Sequence, residues 1–182
     1  MKVGLFGGTF DPIHNGHLHV ISSLISHHVV DKLLVIPAGD PQLRDAAPGA
    51  TGAQRRQMCQ LAINSLPADI RERIEVNPIE ILREGPSYTM DTVEAVAQTY
   101  PDADLILVVG TDAYSKIDQW HRADELKKRV EFCVIDRPDF PGKSTLNISA
   151  LKVSATDIRA GRSDALPAAV AAFIKENNLY AS

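Results

Sequence analysis

The sequence predicts an α/β fold: a single doubly wound, mostly parallel sheet with helices on both faces. Short runs that are apolar at almost every position alternate with segments whose apolar residues recur at helical spacing. The first pattern is typical of strands buried on both faces, and the second of amphipathic helices. Their alternation indicates strand–helix–strand units, which build parallel sheets. The length of 182 residues suits one domain, 1–182, with a full hydrophobic core.

The predicted elements follow one another without a repeat or a linker. Strands are predicted at 2–6, 31–37, 74–81, 103–110 and 129–136, and Pro78 argues that the third lies at an edge or ends early. Helices are predicted over about 16–28, 53–65, 89–99 and 167–177, with a short one starting near Ser154. Ligands of such sheets bind beyond the carboxyl ends of the strands. We therefore expect function at 7–17, 37–44, 110–121 and around Ser154.

Composition and charge exclude several classes of partner. The net charge of −4 shows no basic excess, so we expect neither a nucleic acid nor a membrane as partner. Cys59 and Cys133 do not form a C-x-x-C pair, which indicates buried thiols in a reducing compartment rather than a disulfide framework or a zinc site. No apolar run is long enough to span a bilayer and none looks like a signal peptide, so the expected location is the cytoplasm. Whether the chain forms a homo-oligomer is left open.

The stretch GGTFDPIHNGH, residues 7–17, follows the first predicted strand. Gly7 and Gly8 carry no Cβ, so the backbone there can approach a ligand closely. The helix that follows offers free N–H groups and a partial positive charge at its start, which suits an anion. The stretch contains no lysine and no G-x-G-x-x-G pattern, so the two common nucleotide-binding loops do not apply.

Two histidines of this stretch point to phosphate chemistry. His14 and His17 are three positions apart and share one face of the helix start, where imidazoles can donate hydrogen bonds to phosphate oxygens. His19 lies about 200° around the helix from His17 and cannot chelate a metal with it. A metal pair formed by His14 and His17 stays an alternative. So does a plain turn at Asp11–Pro12 with Asn15 capping the helix.

A second candidate for phosphate binding is VSATDIR, residues 153–159. Ser154 and Asp157 have the spacing of a helix capping box, which is a purely structural explanation. The same segment presents the hydroxyls of Ser154 and Thr156 and the guanidinium of Arg159, which suit a triphosphate. Both interpretations are open from the residues alone.

GGTFDPIHNGHL resembles the signature of the HxGH nucleotidyltransferase superfamily, and VSATDIR is similar to the I-S-S-T-x-I-R motif of the same superfamily. The resemblance implies a Rossmann-like nucleotidyltransferase fold and an enzyme that joins a nucleoside triphosphate to a phosphorylated partner and releases pyrophosphate. It implies that His14, His17 and Arg159 are catalytic. The implied ATP-binding residues are Gly7, Gly8, Thr9, Phe10, Gly110, Asp112, Ser154, Thr156 and Ile158.

The acceptor is indicated by two further segments, EGPSYTMDT (84–92) and GTDAYSKIDQWH (110–121). They resemble the bacterial nicotinate-nucleotide adenylyltransferase family, which implies ATP and nicotinate mononucleotide as substrates, with Mg²⁺ held mainly by the triphosphate. Trp120 is then expected to stack on the pyridine ring, and Tyr88 and Thr89 to bind the carboxylate. Arg44 lies in the loop where the family commonly has a His-Lys pair and is expected to contact the acceptor. Asp112 suits a ribose diol or, alternatively, caps a helix.

Two other functions stay open at this point. One is a related adenylyl- or cytidylyltransferase acting on another phosphorylated acceptor, such as phosphopantetheine; against it, phosphopantetheine enzymes usually have threonine where this chain has His14. The other is a homologue that binds nucleotides without turnover. The sequence does not decide between the nicotinate and nicotinamide mononucleotides.

Overall fold

Five parallel strands form the sheet on which the fold is built. The computed structural model describes residues 1–39 and 46–181. The strands are β1 (Lys2–Gly8), β2 (Lys32–Pro37), β3 (Ile74–Val76), β4 (Asp104–Gly110) and β5 (Glu131–Ile135). They lie in the order β3-β2-β1-β4-β5, and every pairing is parallel. The predicted α/β architecture with a parallel sheet is therefore confirmed.

Helices cover both faces of the sheet. They are α1 (Asn15–Ser26), α2 (Gly52–Asn64), α3 (Ala68–Arg71), α4 (Thr89–Thr99), α5 (Thr111–Tyr114), the 3-10 helix η1 (Ile117–Gln119), α6 (Ala123–Arg129), α7 (Ala155–Arg159) and α8 (Ala168–Glu176). One face packs against α1, α2 and α8, and the other against α4, η1 and α6. Within residues 1–39 and 46–181, no helix is long and apolar enough to cross a membrane.

Alternate residues of each strand supply the two cores. On β2, Leu33 and Val35 face α1 and α2, whereas Leu34 and Ile36 face α4. This alternation follows from the two-residue period of a strand, and it explains why the run is apolar at every position. Gly4 of β1 faces the first core, where a Cβ would lie 2.8 Å from the Leu33 Cδ1 atom. The position therefore accepts only glycine without repacking.

Two boundaries at the start of the chain differ from the prediction. β1 continues through Gly7 and Gly8, because both residues stay paired with β2. The residue that caps α1 is His14 and not Asn15, which is already the first helical residue. Both differences shorten the loop between β1 and α1.

The third strand is much shorter than the predicted range of 74–81. It has only three residues, and it lies at the edge of the sheet. The side chain of Asn77 accepts a hydrogen bond from the Ile79 N–H at 3.0 Å, a local turn that competes with sheet pairing. Pro78 has no N–H to continue the ladder. The chain therefore leaves the sheet after Asn77.

Four short helices, α3, α5, η1 and α6, were not predicted from the sequence. α6 buries a single side chain, Leu126, so it shows no apolar repeat. By contrast, α4 buries Met90, Val93 and Val96 at helical spacing, and its predicted bounds of 89–99 are those observed. The apolar repeat therefore predicts only the helices that bury a full stripe.

The loop between β1 and α1 is held by the buried carboxylate of Asp11, which is 2% exposed. Its Oδ2 atom accepts the Gly49 N–H at 2.8 Å, and its Oδ1 atom accepts the Ala50 N–H at 3.1 Å. The Tyr180 hydroxyl also donates to Oδ1, at 2.7 Å. One side chain thus connects the loop to the segment before α2 and to the C-terminal segment.

Replacing this carboxylate should destabilise the whole fold. We expect Asp11→Asn to lower the free energy of unfolding by about 3 kcal/mol. The NH₂ group of the asparagine cannot accept a hydrogen bond, so one or more of the buried donors that now bond to the carboxylate would lose its partner. Tyr180→Phe is the matched control, and it should cost only about 1 kcal/mol because one hydrogen bond is lost. Urea unfolding monitored by circular dichroism measures both values. Equal stability of D11N and the unmodified chain would contradict the role assigned to this carboxylate.

Candidate active site

The segments predicted to bind substrates lie at the carboxyl edge of the sheet. β1 ends at Gly8, directly before the loop that carries the first phosphate motif, and β4 ends at Gly110, directly before Asp112. The Ala38 N–H after β2 donates to the Gly8 carbonyl at 2.8 Å, which keeps the ends of β1 and β2 together. This is the edge where parallel sheets bind ligands.

The two predicted phosphate motifs are in direct contact. A guanidinium N–H of Arg159, at the end of α7, donates to the backbone carbonyl of Asp11 at 2.7 Å. The same guanidinium also donates to the Thr156 hydroxyl at 3.3 Å. The Ser154 hydroxyl accepts the Asp157 N–H at 3.1 Å and so caps α7. The fold therefore places the guanidinium of VSATDIR against GGTFDPIHNGH.

His14 and His17 form a stacked pair at the start of α1. Their ring centroids are 3.7 Å apart and the ring planes differ by 22°. The His14 backbone N–H donates to His17 Nδ1 at 3.1 Å, so a neutral His17 carries its proton on Nε2. His14 is 5% exposed, and its Nδ1 atom has no hydrogen-bond partner among the described residues.

Burial keeps both imidazoles neutral. It lowers the pKa of His14 to about 4, with a further contribution from the charge of Arg137. Burial also holds the pKa of His17 well below its usual range, and the neighbouring His14 and Arg137 act in the same direction. At pH 7 each ring therefore has one N–H to donate and no net charge.

Arg137 is a site residue that sequence reasoning missed. It lies two positions beyond the end of β5, and its side-chain carbons approach Gly110, where a Cβ would be 3.0 Å from Arg137 Cγ. Parallel sheets bind ligands beyond the carboxyl ends of their strands, and Arg137 directly follows the strand predicted at 129–136. This position could therefore have indicated Arg137 from the sequence. Its guanidinium adds a permanent positive charge near the histidine pair.

The described residues provide no further ligand for a metal held by His14 and His17. His19 is turned toward Ile148, whose carbonyl lies 2.8 Å from the His19 Nε2 atom. Among residues 1–39 and 46–181, no three His, Cys, Asp or Glu side chains are grouped so that they could hold a metal ion.

Two predicted ATP-binding residues place their side chains inside the protein. Phe10 is 2% exposed and Ile158 is 8% exposed, so little of either side chain is accessible to a nucleotide. The Phe10 ring packs edge-on against His17, with centroids 5.0 Å apart. A Cβ at Gly8 would lie 3.0 Å from that ring, so packing, and not only the approach of a ligand, requires glycine there. Gly7, by contrast, is exposed, and Thr9 is half-buried with its carbonyl bonded to Arg55 at 2.8 Å.

Asp112 lies in the first turn of α5, as expected for a carboxylate at the end of β4. The preceding Thr111 is buried, and its hydroxyl donates to the Phe140 carbonyl at 2.6 Å. A cleft of about 600 Å³ opens beside Asp112, between α5 and residues 139–143. The half-buried Asp112 is thus next to a space that can admit part of a ligand.

The predicted acceptor residues come together from two segments. Tyr88 caps the start of α4 and Thr89 is its first residue. The Tyr88 ring stacks on His121, with centroids 4.3 Å apart and ring planes at 27°. The neighbouring Trp120 is half-buried against the core under α4 and α6. Arg44, the fourth predicted acceptor residue, lies outside the described residues.

A polar network supports the segment before α4, and the sequence did not reveal it. The carboxylate of Glu80 accepts the Thr92 hydroxyl at 2.9 Å, and Arg83 donates to the same hydroxyl at 3.2 Å. Burial raises the pKa of Glu80. A Cβ at Gly39 would overlap the Glu80 carbonyl, so the chain after β2 packs tightly against this segment.

Sequence and structure comparisons show which known proteins this chain is similar to. A family model described as cytidylyltransferase-like matches residues 5–161. A Bacillus pumilus chain named "Probable nicotinate-nucleotide adenylyltransferase" is 36% identical over 192 residues, covering 100% of this chain and 99% of the relative. The nicotinate-nucleotide adenylyltransferase of Bacillus subtilis is 32% identical over 192 residues, with coverage of 100% and 99%. The structure of Plasmodium falciparum nicotinic acid mononucleotide adenylyltransferase complexed with NaAD has a TM-score of 0.84 at 18% identity, covering 98% of this chain and 97% of that one.

The buried histidines should make stability depend on pH. His14 has a pKa of about 4 in the native protein, against 6.5 for an ordinary histidine. The unfolded chain therefore binds more protons between these values, and the free energy of unfolding should fall by about 3 kcal/mol as the pH drops through this window. Urea unfolding at pH 7.5, 5.5 and 4.5 measures the loss.

His14→Asn should reduce this pH dependence, because it removes the group that resists protonation. His28→Asn is the matched control: it removes an exposed imidazole at a left-handed position that asparagine tolerates. If H14N loses as much stability toward pH 4.5 as the unmodified chain, the buried imidazole is not the source of the effect.

Proposed function

Because the chain belongs to the nicotinate-nucleotide adenylyltransferase family, within the cytidylyltransferase-like proteins, we propose that it transfers the adenylyl group of ATP to nicotinate mononucleotide. The products are nicotinate adenine dinucleotide and pyrophosphate. The observation that carries the proposal is the docking of Arg159 onto the loop of Asp11, beside the stacked His14 and His17. This contact brings together the two segments predicted to bind phosphate, which lie near opposite ends of the chain.

The proposed reaction is an in-line displacement at the α-phosphorus of ATP. An oxygen of the mononucleotide phosphate forms the new P–O bond, and the bond between the α-phosphorus and the bridging oxygen breaks as pyrophosphate leaves. The attacking phosphate is already anionic at neutral pH, so the step needs no general base. Catalysis then consists of positioning and of stabilising charge on phosphate oxygens.

Two kinds of group would stabilise the phosphate charge: neutral hydrogen-bond donors and permanently charged side chains. His14 and His17 are neutral in the free protein because their pKa values are lowered, so each donates a hydrogen bond without adding charge. Arg137 and Arg159 supply the permanent positive charge. A bound triphosphate is anionic and raises the pKa of a nearby imidazole, so substrate binding opposes part of the pKa lowering that burial causes.

Mg²⁺ enters this proposal as part of the nucleotide substrate. Its preferred ligands are phosphate oxygens and water, and it usually keeps several waters when it is bound to protein. The ion would neutralise part of the triphosphate charge and leave the histidines and arginines to bind the remaining oxygens. Omission of Mg²⁺ from the assay below tests its requirement.

The acceptor end of the site favours an acid over an amide. α4 begins at Thr89, and the side chain of Tyr88 makes no capping hydrogen bond. The first N–H groups of a helix bind anions well, because they lack partners within the helix and carry partial positive charge. The carboxylate of the nicotinate ring fits this position, whereas the amide of nicotinamide has no negative charge to offer.

The decisive assay measures pyrophosphate released from ATP with three acceptors side by side. We expect turnover with nicotinate mononucleotide, with one dinucleotide formed per pyrophosphate, and at least about tenfold lower kcat/KM with nicotinamide mononucleotide. Turnover with 4′-phosphopantetheine alone would contradict the proposed acceptor. ATP binding by calorimetry without turnover of any acceptor would instead identify a nucleotide-binding homologue.

His17→Ala should lower kcat by roughly 10²–10³-fold, as the loss of one donor to transition-state oxygens does in other enzymes. His19→Gln is the matched control, since His19 lies on the same helix but bonds to the Ile148 carbonyl. Circular dichroism establishes that both variants are folded. A kcat close to the unmodified value in H17A would remove His17 from the mechanism.

A further inference from the structure

The acceptor pocket is assembled from two segments that are distant in sequence. Tyr88 and Thr89 start α4, whereas Trp120 and His121 lie between η1 and α6. At the surface the segments touch through the stack of Tyr88 on His121. The helices behind this contact share one apolar core, but apolar packing is not directional. A directed polar interaction can fix the spacing of the two segments in addition.

Arg122 supplies that interaction. Its guanidinium donates two hydrogen bonds to the Glu94 carboxylate on α4, at 3.1 and 2.7 Å. It donates two more to Glu125 on α6, at 3.0 and 2.7 Å. Asp91 of α4 lies 3.8 Å away. One side chain thus joins the helix that begins at the acceptor residues Tyr88 and Thr89 to the helix that follows Trp120.

The backbone at Arg122 indicates that this arrangement is specific. Its φ angle is 54°, in the left-handed region that residues with a Cβ rarely adopt. This conformation turns the chain immediately after Trp120 and His121 and starts α6. An exposed ion pair alone contributes little to stability. Paired two-pronged bonds from a planar guanidinium, however, fix orientation in a way that a lysine cannot reproduce.

We propose that Arg122 is a positioning residue for the acceptor: through Glu94 and Glu125 it holds Trp120 and His121 at the distance from Tyr88 and Thr89 that the pyridine nucleotide requires. The identity of the acceptor rests on the proposed function. The positioning itself rests on the contacts of Arg122. Within residues 1–39 and 46–181, the side-chain contacts of Arg122 go to Glu94, Glu125 and Asp91 and not to the segments 7–17 and 153–159, so its effect should be confined to acceptor binding.

Kinetics of Glu94→Gln test the proposal. We expect KM for nicotinate mononucleotide to rise roughly three- to tenfold, with KM for ATP and kcat near their unmodified values. Arg122→Lys, which keeps the charge but loses the fork, should act in the same direction. The double variant should go no further than the stronger single variant, because both remove the same interaction. Glu75→Gln is the matched control, as Glu75 pairs with Lys32 at 2.8 Å between β2 and β3.

Trp120 provides a readout that does not depend on activity, because it is the only tryptophan. Acrylamide quenching of its fluorescence should increase in E94Q and R122K, and not in E75Q. Unchanged quenching in these variants, or equal rises in the KM of both substrates, would overturn the positioning role. If the unmodified chain turns over no pyridine nucleotide, the proposed function fails, while the quenching data still decide whether Arg122 holds Trp120 in place.

Discussion

The buried carboxylate of Asp11 is the interaction on which the loop predicted to bind phosphate depends. A charge that is 2% exposed is tolerated only when hydrogen bonds replace its water. Gly49, Ala50 and Tyr180 provide those donors, and the carbonyl of the same residue accepts Arg159. The loop after β1 therefore takes its shape from three distant segments. Its geometry is a property of the assembled fold and not of the local sequence.

The same packing accounts for the electrostatics of the histidine pair. Burial is the main cause of the lowered pKa values of both rings, and the neighbouring His14 ring, with its centroid 3.7 Å away, acts in the same direction on His17. Neutral imidazoles are the result, and positive charge is left to Arg137 and Arg159. The net charge of −4 belongs to the whole chain, whereas Arg137 and Arg159 lie at the edge of the sheet where we expect the anionic ligand.

The elements that bury a complete apolar pattern could be predicted from the sequence, and those that depend on tertiary contacts could not. β4 is a continuous apolar run and α4 has apolar residues at helical spacing, whereas α6 buries only Leu126. The early end of β3 depends on the turn at Asn77. Likewise, the two motifs indicated a phosphate site from residue types and spacing. They did not reveal that the Phe10 side chain lies in the core, or that Arg137 approaches from β5, since both facts depend on the order of the strands.

Different kinds of interaction stabilise the two ends of the candidate site. The end predicted to bind phosphate depends on the buried carboxylate of Asp11 and its hydrogen bonds, which salt screens weakly. The acceptor end depends on the exposed ion pairs of Arg122, which are weaker singly and are screened by salt. An exposed connection between α4 and α6 can lengthen or reorient without breaking either core. We therefore expect the end around Asp11 to be the more rigid part of the site, with adjustment to the acceptor confined to the segments around Tyr88 and Trp120.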